Sequence, residues 1–436
     1  MATPTIPTTS SRPPRVPLPT WIQAAGFLTA RRGVLRTLAA RYGPVFELDL
    51  PNFGPTVAVA DPVLAKQLFT SGAKTINVQP NLGRVLGRQS MFGIEGTDHR
   101  RRRKLLTPPL HGKRIRSYEA VVEEETRTEI AGWRSGERFA SQDPMMRITL
   151  NVILRTVFGA VGADLDDLRD RLPHMVEVGS RAATIPDLPR ILRRVDPNVR
   201  YRALRIDYDE RIRRIIADAR CDPGLADRDD ILAMMLQSVY DDGSTMTDDE
   251  IADELLTLLA AGHETTATTL AWVFERIQRH PEVLARLERE ARDGDENTYR
   301  HAVILETQRS RPVIDLAGRH VVADDLMLGN WHVPRGHNVI VAIALLHDDA
   351  GEFADPKRFD PERFVGVPPS ASWIPFGGGT RRCIGAAFAH MEMDVVLRTV
   401  LREFDLKPTA RPSEGLHSRG VASAPRFGGA ISVTRR

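Results

Sequence analysis

The loop FGGGTRRCIG, residues 376–385, sets one of the chain's two cysteines behind three consecutive glycines. Glycine serves where backbone must bend sharply or approach another group closely. An apolar helix is predicted directly after the loop, so Cys383 would lie at a helix N-terminus, where free N–H groups and the helix dipole favour a thiolate. The loop is therefore a candidate site for a functional sulfur, whereas Cys221 is interpreted as an inert small apolar residue.

A second stretch with chemical potential lies inside a long predicted helix. The helix begins with Thr247 and Glu250 at the spacing of a capping box, and it stops at Pro281. Its middle is apolar on every side, yet residues 262–266 read GHETT, and glycine and threonine are poor helix formers. Two interpretations stay open: a packing glycine with threonines bonded to helix carbonyls, or a local bulge that makes room for a ligand.

Composition and missing motifs exclude several classes of protein. Two cysteines in 436 residues cannot form a disulfide framework or a four-cysteine metal site, and a net charge of +3 gives no general case for nucleic acid binding. His263 and Glu264 lack the second histidine of a zinc-protease helix. No dinucleotide fingerprint and no phosphate-binding loop is present.

Hydrophobic periodicity predicts helices from about 97 to 310, with Pro/Gly breaks at 186–197 and 222–224. Residues 43–50 and 54–61 read as a hairpin around Pro51, Asn52 and Phe53. Strands and helices segregate along the chain, so we expect a mainly α protein with small β-sheets, an α+β fold. The β-rich portions are predicted near 43–61, 318–345 and 415–434.

The N-terminal residues 1–20 are rich in proline and threonine where a signal peptide would need an apolar core. We expect them to form a mobile tail before a single domain over 21–436. No apolar stretch reaches the ~20 residues of a membrane span, so a cytoplasmic protein without a membrane anchor is expected.

Taken together, these stretches resemble the cytochrome P-450 family of haem-thiolate monooxygenases. The cysteine loop fits the family's F-x-x-G-x-R-x-C-x-G, and Ala389 and Glu392 continue the pattern into the next helix. AGHETT at 261–266 is similar to the family's oxygen-activation motif, and ETQR at 306–309 is similar to its E-x-x-R. PERF at 361–364 is similar to the family's partner element between the E-x-x-R and the cysteine loop. The resemblance implies the cytochrome P-450 fold, with a long central helix across the haem and the cysteine-ligand loop on the opposite face.

The resemblance also assigns roles to residues. Glu264 and Thr265 would be the catalytic acid–alcohol pair: Thr265 would hydrogen-bond the O2 co-substrate and Glu264 would relay protons from solvent. Glu306, Arg309 and Arg363 would form an ionic triad that supports the cysteine loop. The residues implied for binding haem b are Cys383 as axial iron ligand, His99, Arg103, Arg319 and Arg381 for the propionates, Phe376 beside the sulfur, and Gly385, which would leave room for the haem ring.

The implied function is insertion of one oxygen atom into a lipophilic small molecule, by a protein that is a monomer. Electrons would come from NAD(P)H through a separate ferredoxin and ferredoxin reductase. The alternatives are a haem-thiolate enzyme of oxidative coupling or rearrangement, and a non-catalytic haem-dependent sensor. Outward charges of the run HRRRRK, Arg101 among them, are expected to dock an acidic electron-transfer protein. The substrate pocket is expected near 76–94, 180–200, Leu258, Ala261 and 313–316.

Overall fold

The architecture comes from a computed structural model of the full chain. It describes residues 11–50, 53–77, 80–159, 163–184, 194, 196–294 and 296–436. The described residues group into two compact units. Unit 1 consists of the described residues within 1–79, 315–354 and 371–382, and unit 2 of those within 80–314, 355–370 and 383–436.

Helices dominate the described chain. In chain order they are α1 (Thr20–Tyr42), α2 (Pro62–Thr70), α3 (Pro80–Leu86), α4 (Gly96–Leu106), α5 (Lys113–Ser117), α6 (Glu119–Ala131), α7 (Gln142–Phe158), α8 (Ala163–Thr184), α9 (Pro197–Cys221), α10 (Ile231–Gln237), α11 (Asp248–Ile277), α12 (Pro281–Asp293), α13 (Thr298–Ser310), α14 (Ile343–Leu346) and α15 (Ala386–Glu403). None of these helices is long and apolar enough to cross a membrane.

The strands are short. They are β1 (Val45–Leu50), β2 (Gly54–Val59), β3 (Ile76–Asn77), β4 (Arg138–Ala140), β5 (Leu316–Val321), β6 (Asp325–Leu328), β7 (Trp331–Pro334), β8 (Asn338–Ala342), β9 (Phe404–Leu406), β10 (Leu416–Ser418), β11 (Ser423–Pro425) and β12 (Ala430–Arg435).

Unit 1 is built on a five-stranded sheet in the order β1-β2-β8-β5-β3. Successive side chains of a strand point to opposite faces, and the sheet follows that rule. Phe46, Leu48 and Ile340 join one apolar cluster together with Leu35 and Leu38 of α1. Val57, Val59 and Val339 belong to the cluster on the other face, with Leu68 of α2. The predicted hairpin of β1 and β2 is present, although Pro51 and Asn52 at its tip lie outside the described residues.

Part of the segment expected to be a mobile tail is fixed to unit 1. The amide of Val16 donates to the carbonyl of Glu47 at 2.9 Å, and the amide of Ser11 to that of Asn330 at 3.2 Å. Val16 is buried in the apolar cluster of α1. Residues 11–16 therefore add hydrogen bonds at strand edges, which the proline-rich composition did not predict, and residues 1–10 lie outside the described residues.

Unit 2 is a helical unit arranged around α11. Thr247 and Glu250 form the predicted capping box at its start, and the helix ends at Ile277, just before α12 begins at Pro281. Helices α7, α9, α10, α13 and α15 all pack against α11. The predicted break after Cys221 is present, whereas most of the predicted break at 186–197 lies outside the described residues.

Two small sheets complete unit 2: β10 with β11, and the order β4-β12-β9. The pairing of β4 with β12 joins a strand inside the predicted helical span to the end of the chain, and three residues are too few for periodicity to reveal it. The mostly helical composition with small sheets confirms the predicted fold class.

Candidate functional site

Helix α11 is buried along nearly its whole length, with one interruption. From Ile251 to Ile277 every residue is buried except Ala260, Ala261, Gly262 and Thr265. Ala261 and Thr265 are four residues apart, so they share one side of the helix. We call these four residues the open face of α11, and it carries the segment that the sequence marks as a poor helix former.

The helix runs through this segment without a bulge. A side chain at Gly262 would meet Cδ1 of Ile153 at 3.1 Å, so α7 packs closely at this point. The hydroxyl of Thr265 donates to the carbonyl of Ala261 at 2.7 Å. Of the two interpretations that the sequence left open, the packing glycine with back-bonded threonines is therefore the one observed.

Glu264 lies beside the open face and is 5% exposed. Its Oε1 accepts a hydrogen bond of 2.9 Å from Nε of Arg419, which lies in the turn between β10 and β11. A buried carboxylate needs such a partner, because an unpaired charge is costly away from water. Arg419 is the residue of this site that sequence reasoning missed, and since the two positions are 155 residues apart, no local spacing could reveal it.

His263 precedes the acid and is fully buried. Its Nδ1 lies 2.8 Å from the carbonyl oxygen of Leu259, and Nε2 finds no partner among the described residues. Burial lowers the pKa of His263, so the neutral imidazole is favoured. No group of three or more potential metal-ligating side chains occurs among the described residues.

Cys383 stands three residues before the first residue of α15. Gly385, at the N-cap of α15, has no side chain to cap the helix, so the first amides of α15 have no side-chain partner there. These amides and the helix dipole favour a thiolate at this end of the helix. Cys383 is exposed, and so is Cys221, so Cys221 does not pack in the apolar core as its interpretation as an inert apolar residue implied.

Two glycines of the loop are required by a packing contact that the sequence did not reveal. Gly379 has φ +67°, and a Cβ there would lie 1.9 Å from the carbonyl oxygen of Phe69 in α2. A Cβ at Gly378 would lie 2.4 Å from the Phe69 ring. Close approach of α2 therefore requires glycine at both positions, in addition to the predicted access to the sulfur.

Arg319 of β5 is a buried cation in unit 1, 8% exposed. Its guanidinium donates to the carbonyls of Gly318 at 2.8 Å and Gly378 at 3.2 Å, and it lies over the Phe69 ring. Burial lowers the pKa of Arg319 to about 10, and no carboxylate of the described chain pairs with it. A buried guanidinium without a counter-charge fits a site for an external carboxylate.

Two further predicted residues lie in the same unit. Phe376 is half-buried and meets the ring of Trp373 edge-on, with 6.0 Å between ring centroids. Arg381 is half-buried and ends the single helical turn Gly379–Arg381.

His99 and Arg103 lie on α4 in unit 2, on one side of the helix as the spacing predicts. His99 is buried and Arg103 is half-buried. Between them, Arg102 is buried and pairs with Glu254 at 2.9 Å. Burial raises the pKa of Glu254 to about 7, and the positive charge of Arg102 opposes that rise.

The expected outward role of Arg101 is not supported by its surroundings. Arg101 pairs with Asp242 at 2.7 Å and lies over the ring of Tyr240. Lys104 pairs with Asp241 at 2.8 Å. These charges of the basic run are thus matched by an acidic turn of the same unit, rather than presented unpaired to a partner.

Glu306, Arg309 and Arg363 meet in unit 2. The guanidinium of Arg309 holds the Glu306 carboxylate with two bonds, of 2.7 and 2.8 Å, and both side chains are fully buried. Nε of Arg363 lies 3.1 Å from the same carboxylate. Arg309 also donates to the carbonyls of Pro356 and Arg358, so the triad fastens the segment 356–363 to α13.

Glu392 lies on α15, nine residues after the cysteine, and is buried. Burial raises the pKa of Glu392 to about 8, and the nearby hydroxyl of Thr266 on α11 opposes that rise. The carboxyl group is therefore largely protonated at neutral pH. The sequence marked this position only as part of a pattern.

Comparison with known proteins decides the family. The family model "Cytochrome P450" matches residues 13–426. The chain belongs to the cytochrome P450 family. It is 51% identical to proteins named cytochrome P450 138 of Mycobacterium bovis and Mycobacterium tuberculosis, over 97% of this chain and 96% of theirs. It is 39% identical to the cytochrome P450 135B1 of Mycobacterium tuberculosis, over 97% of this chain and 91% of that one.

Solved structures support the cytochrome P450 fold. A retinoic acid-bound cyanobacterial CYP120A1 is similar with a TM-score of 0.86 at 22% identity, covering 98% of this chain and 100% of that one. The haem domain of a cytochrome P450DA is similar with a TM-score of 0.85 at 21% identity, covering 98% of this chain and 98% of that one. Members of this family are haem-dependent monooxygenases, and the enzyme class predicted from the sequence is confirmed.

The buried triad generates the first prediction. Arg309→Ala would leave Glu306 without its two-bond partner in the core, which should cost about 3–5 kcal/mol of unfolding free energy and abolish haem incorporation. Arg286→Ala is a matched control, because Arg286 pairs with Glu362 of the same segment at the surface, where about 0–1 kcal/mol is expected. Denaturant unfolding and haem content measure both effects. A well-behaved Arg309→Ala holoprotein would refute the structural role.

Glu392 generates a prediction for pH. The folded state holds the proton of Glu392 up to about pH 8, whereas the unfolded chain releases it near the ordinary glutamate pKa of 4.5. The folded state thus binds more protons in this window, so this group's contribution to stability is lost as pH rises from about 4.5 to 8. Glu392→Gln should remove this pH dependence. Its size is about 1.4 kcal/mol of unfolding free energy for each unit by which the pKa of Glu392 is raised. Unfolding at pH 5 and pH 8 measures it, and the same wild-type-to-variant difference at both values would contradict the assignment.

Proposed function

We propose that this cytochrome P450 hydroxylates or otherwise oxidises a lipophilic small molecule with O2 and two electrons. The observation that carries the proposal is the open face of α11. There a helix that is otherwise buried exposes Ala261 and Thr265, with the acid Glu264 directly beside them. A hydroxyl and a carboxylic acid at the only opening of the buried span are suited to delivering protons to a reacting molecule.

The residues present fit haem b. Cys383 would be its axial ligand, and a thiolate ligand supplies the electron density that favours O–O cleavage. Arg319 is a buried cation without a carboxylate partner in the described chain, as a propionate site requires. His99, Arg103 and Arg381 are the further candidates for the propionates. Phe376 would pack beside the sulfur, and Gly385 would leave room for the haem ring.

Thr265 and Glu264 would have different tasks. The Thr265 hydroxyl gives its own proton to the carbonyl of Ala261, so its lone pairs remain able to accept a hydrogen bond. Glu264 is the group next to it that can exchange protons with solvent. Thr265 would therefore orient the oxygen co-substrate, and Glu264 would supply protons to it.

The substrate class rests on the apolar character of this face. Leu258 and Ala261 are apolar side chains on the same side of α11 as Thr265, and such walls suit an apolar ligand. Val313, expected to line the pocket, is buried against Trp272 and Ala422. Residues 78–79, 185–193 and 195, which belong to the other predicted lining segments, lie outside the described residues.

The electron source is proposed to be NAD(P)H through a ferredoxin and a ferredoxin reductase. The proposal as a whole is tested with the purified holoenzyme. A library of lipophilic compounds is screened for shifts of the haem absorption band, and each hit is then incubated with NADPH and a surrogate ferredoxin pair. Oxygenated product that depends on NADPH supports the proposal, and binding without product from any hit contradicts it.

Thr265→Ala generates the prediction for this pair. It should leave binding of such a hit unchanged but divert reducing equivalents to hydrogen peroxide, because the hydroxyl that orients the oxygen co-substrate is lost. Thr265→Ser should retain coupling. Thr257→Ala is the matched control, since Thr257 makes the same helix bond to Asp253 on a buried part of α11. Product formed per NADPH consumed is the measurement, and an unchanged ratio in Thr265→Ala would sink the assignment.

A further inference from the structure

The acid of the catalytic pair is held by a residue from a distant part of the chain. Nε of Arg419 donates to Oε1 of Glu264 at 2.9 Å. Among the residues that the structure describes, Arg419 is the only side chain that hydrogen-bonds Glu264. The neighbouring His263 is buried and its lowered pKa favours the neutral form, so it supplies no competing charge.

Arg419 lies in a turn that is itself fastened to another helix. The hydroxyl of Ser180, on α8, donates to the carbonyl of Arg419 at 2.9 Å, and it accepts a bond of 2.9 Å from the amide of Val421. Between them, Gly420 has φ +95°, and a Cβ there would lie 2.6 Å from the carbonyl oxygen of Ser180. The turn 419–421 is thus docked on α8 by a single hydroxyl and by a contact that only glycine allows.

The two sets of contacts form one connected path from α8 to the acid. Ser180 fixes the backbone of residues 419–421, and the side chain of Arg419 reaches from that backbone to Glu264. The Glu264 side chain is 7% exposed, whereas that of Arg419 is 29% exposed. The guanidinium therefore borders solvent on one side and the carboxylate on the other.

We infer that Arg419 is a positioning residue for Glu264, and that the docking of turn 419–421 on Ser180 holds Arg419 in place for that task. The inference rests on the proposed role of Glu264 in supplying protons. A planar guanidinium fixes the direction of a carboxylate better than a flexible ammonium does. With Arg419 bound to Oε1, the carboxylate keeps a single orientation beside Thr265. A change in how α8 packs against this turn would alter the orientation of the Glu264 carboxylate. The position of α8 is therefore coupled to the supply of protons.

The first experiment follows NADPH oxidation by the holoenzyme with a surrogate ferredoxin pair and no added substrate, in H2O and in D2O. Arg419→Ala should slow NADPH oxidation roughly threefold to tenfold, a fraction of the effect typical of a general acid, and enlarge the solvent isotope effect. Arg419→Lys should recover part of the rate, and Ser180→Ala should show a smaller effect of the same kind. Arg426→Ala is the control, because Arg426 is exposed just after the same hairpin and stacks only on Phe427.

The second experiment does not depend on activity. Hydrogen–deuterium exchange of the holoenzyme should show faster exchange of the Val421 amide in Ser180→Ala, in Arg419→Ala and in Glu264→Gln, and no change in Arg426→Ala. Protection at Val421 that is the same in Glu264→Gln as in the wild type would overturn the connection between the acid and the turn.

Glu264→Gln separates the inference from the function beneath it. If this variant alters the isotope effect and Arg419→Ala does not, the inference is wrong and the role of Glu264 stands. If Glu264→Gln is itself without effect, both are wrong. If Arg419→Ala adds no further effect in the Glu264→Gln background, the two residues act as one unit, as we infer.

Discussion

A helix that is buried along nearly its whole length can carry carboxylates only if each one meets a cation, because an uncompensated charge in the core costs several kcal/mol. Helix α11 obeys this constraint: Glu275, near its end, pairs with Arg276 and Arg279, and its other buried acids pair with arginines from other parts of unit 2. The pairs with distant arginines are Asp253 with Arg205, Glu254 with Arg102 and Glu264 with Arg419. Each pair also ties α11 to a neighbouring element, so the arrangement of unit 2 depends on how the acids of this one helix are satisfied.

The same constraint distinguishes Glu264, the acid that we propose to be catalytic, from Glu254. Arg102 is itself buried, with 3% of its side chain exposed, whereas Arg419 borders solvent at 29%. Glu264 is also the acid that lies beside the open face. The pair of Glu264 and Arg419 therefore combines protection from water with a route to it, which suits a group that must exchange protons. Glu306 and Arg309 are fully buried and Glu392 is 1% exposed, and we propose structural roles for all three.

Local patterns predicted much of this. The capping box of α11, the pairing of Glu306 with Arg309 and the helix after Cys383 all depend on residues within a few positions of one another. What sequence reasoning missed is non-local. Arg419, the partner of Glu264, is 155 residues away from it in the sequence. Gly378 and Gly379 pack against Phe69, which lies more than 300 positions earlier. Only folding brings these residues together. The ion pair of Arg101 with Asp242 is non-local in the same way, because the two residues are 141 positions apart.

The claim on which the account depends most is that Cys383 is the haem ligand, as a thiolate. The absorption spectrum of the reduced, CO-bound holoenzyme tests it directly, because thiolate and imidazole ligation give clearly different bands. We predict the thiolate band for the wild-type protein and its loss in Cys383→His, with Cys221→Ser unchanged. An imidazole-type band in the well-folded wild-type holoenzyme, or a thiolate band that persists in Cys383→His, would contradict the account.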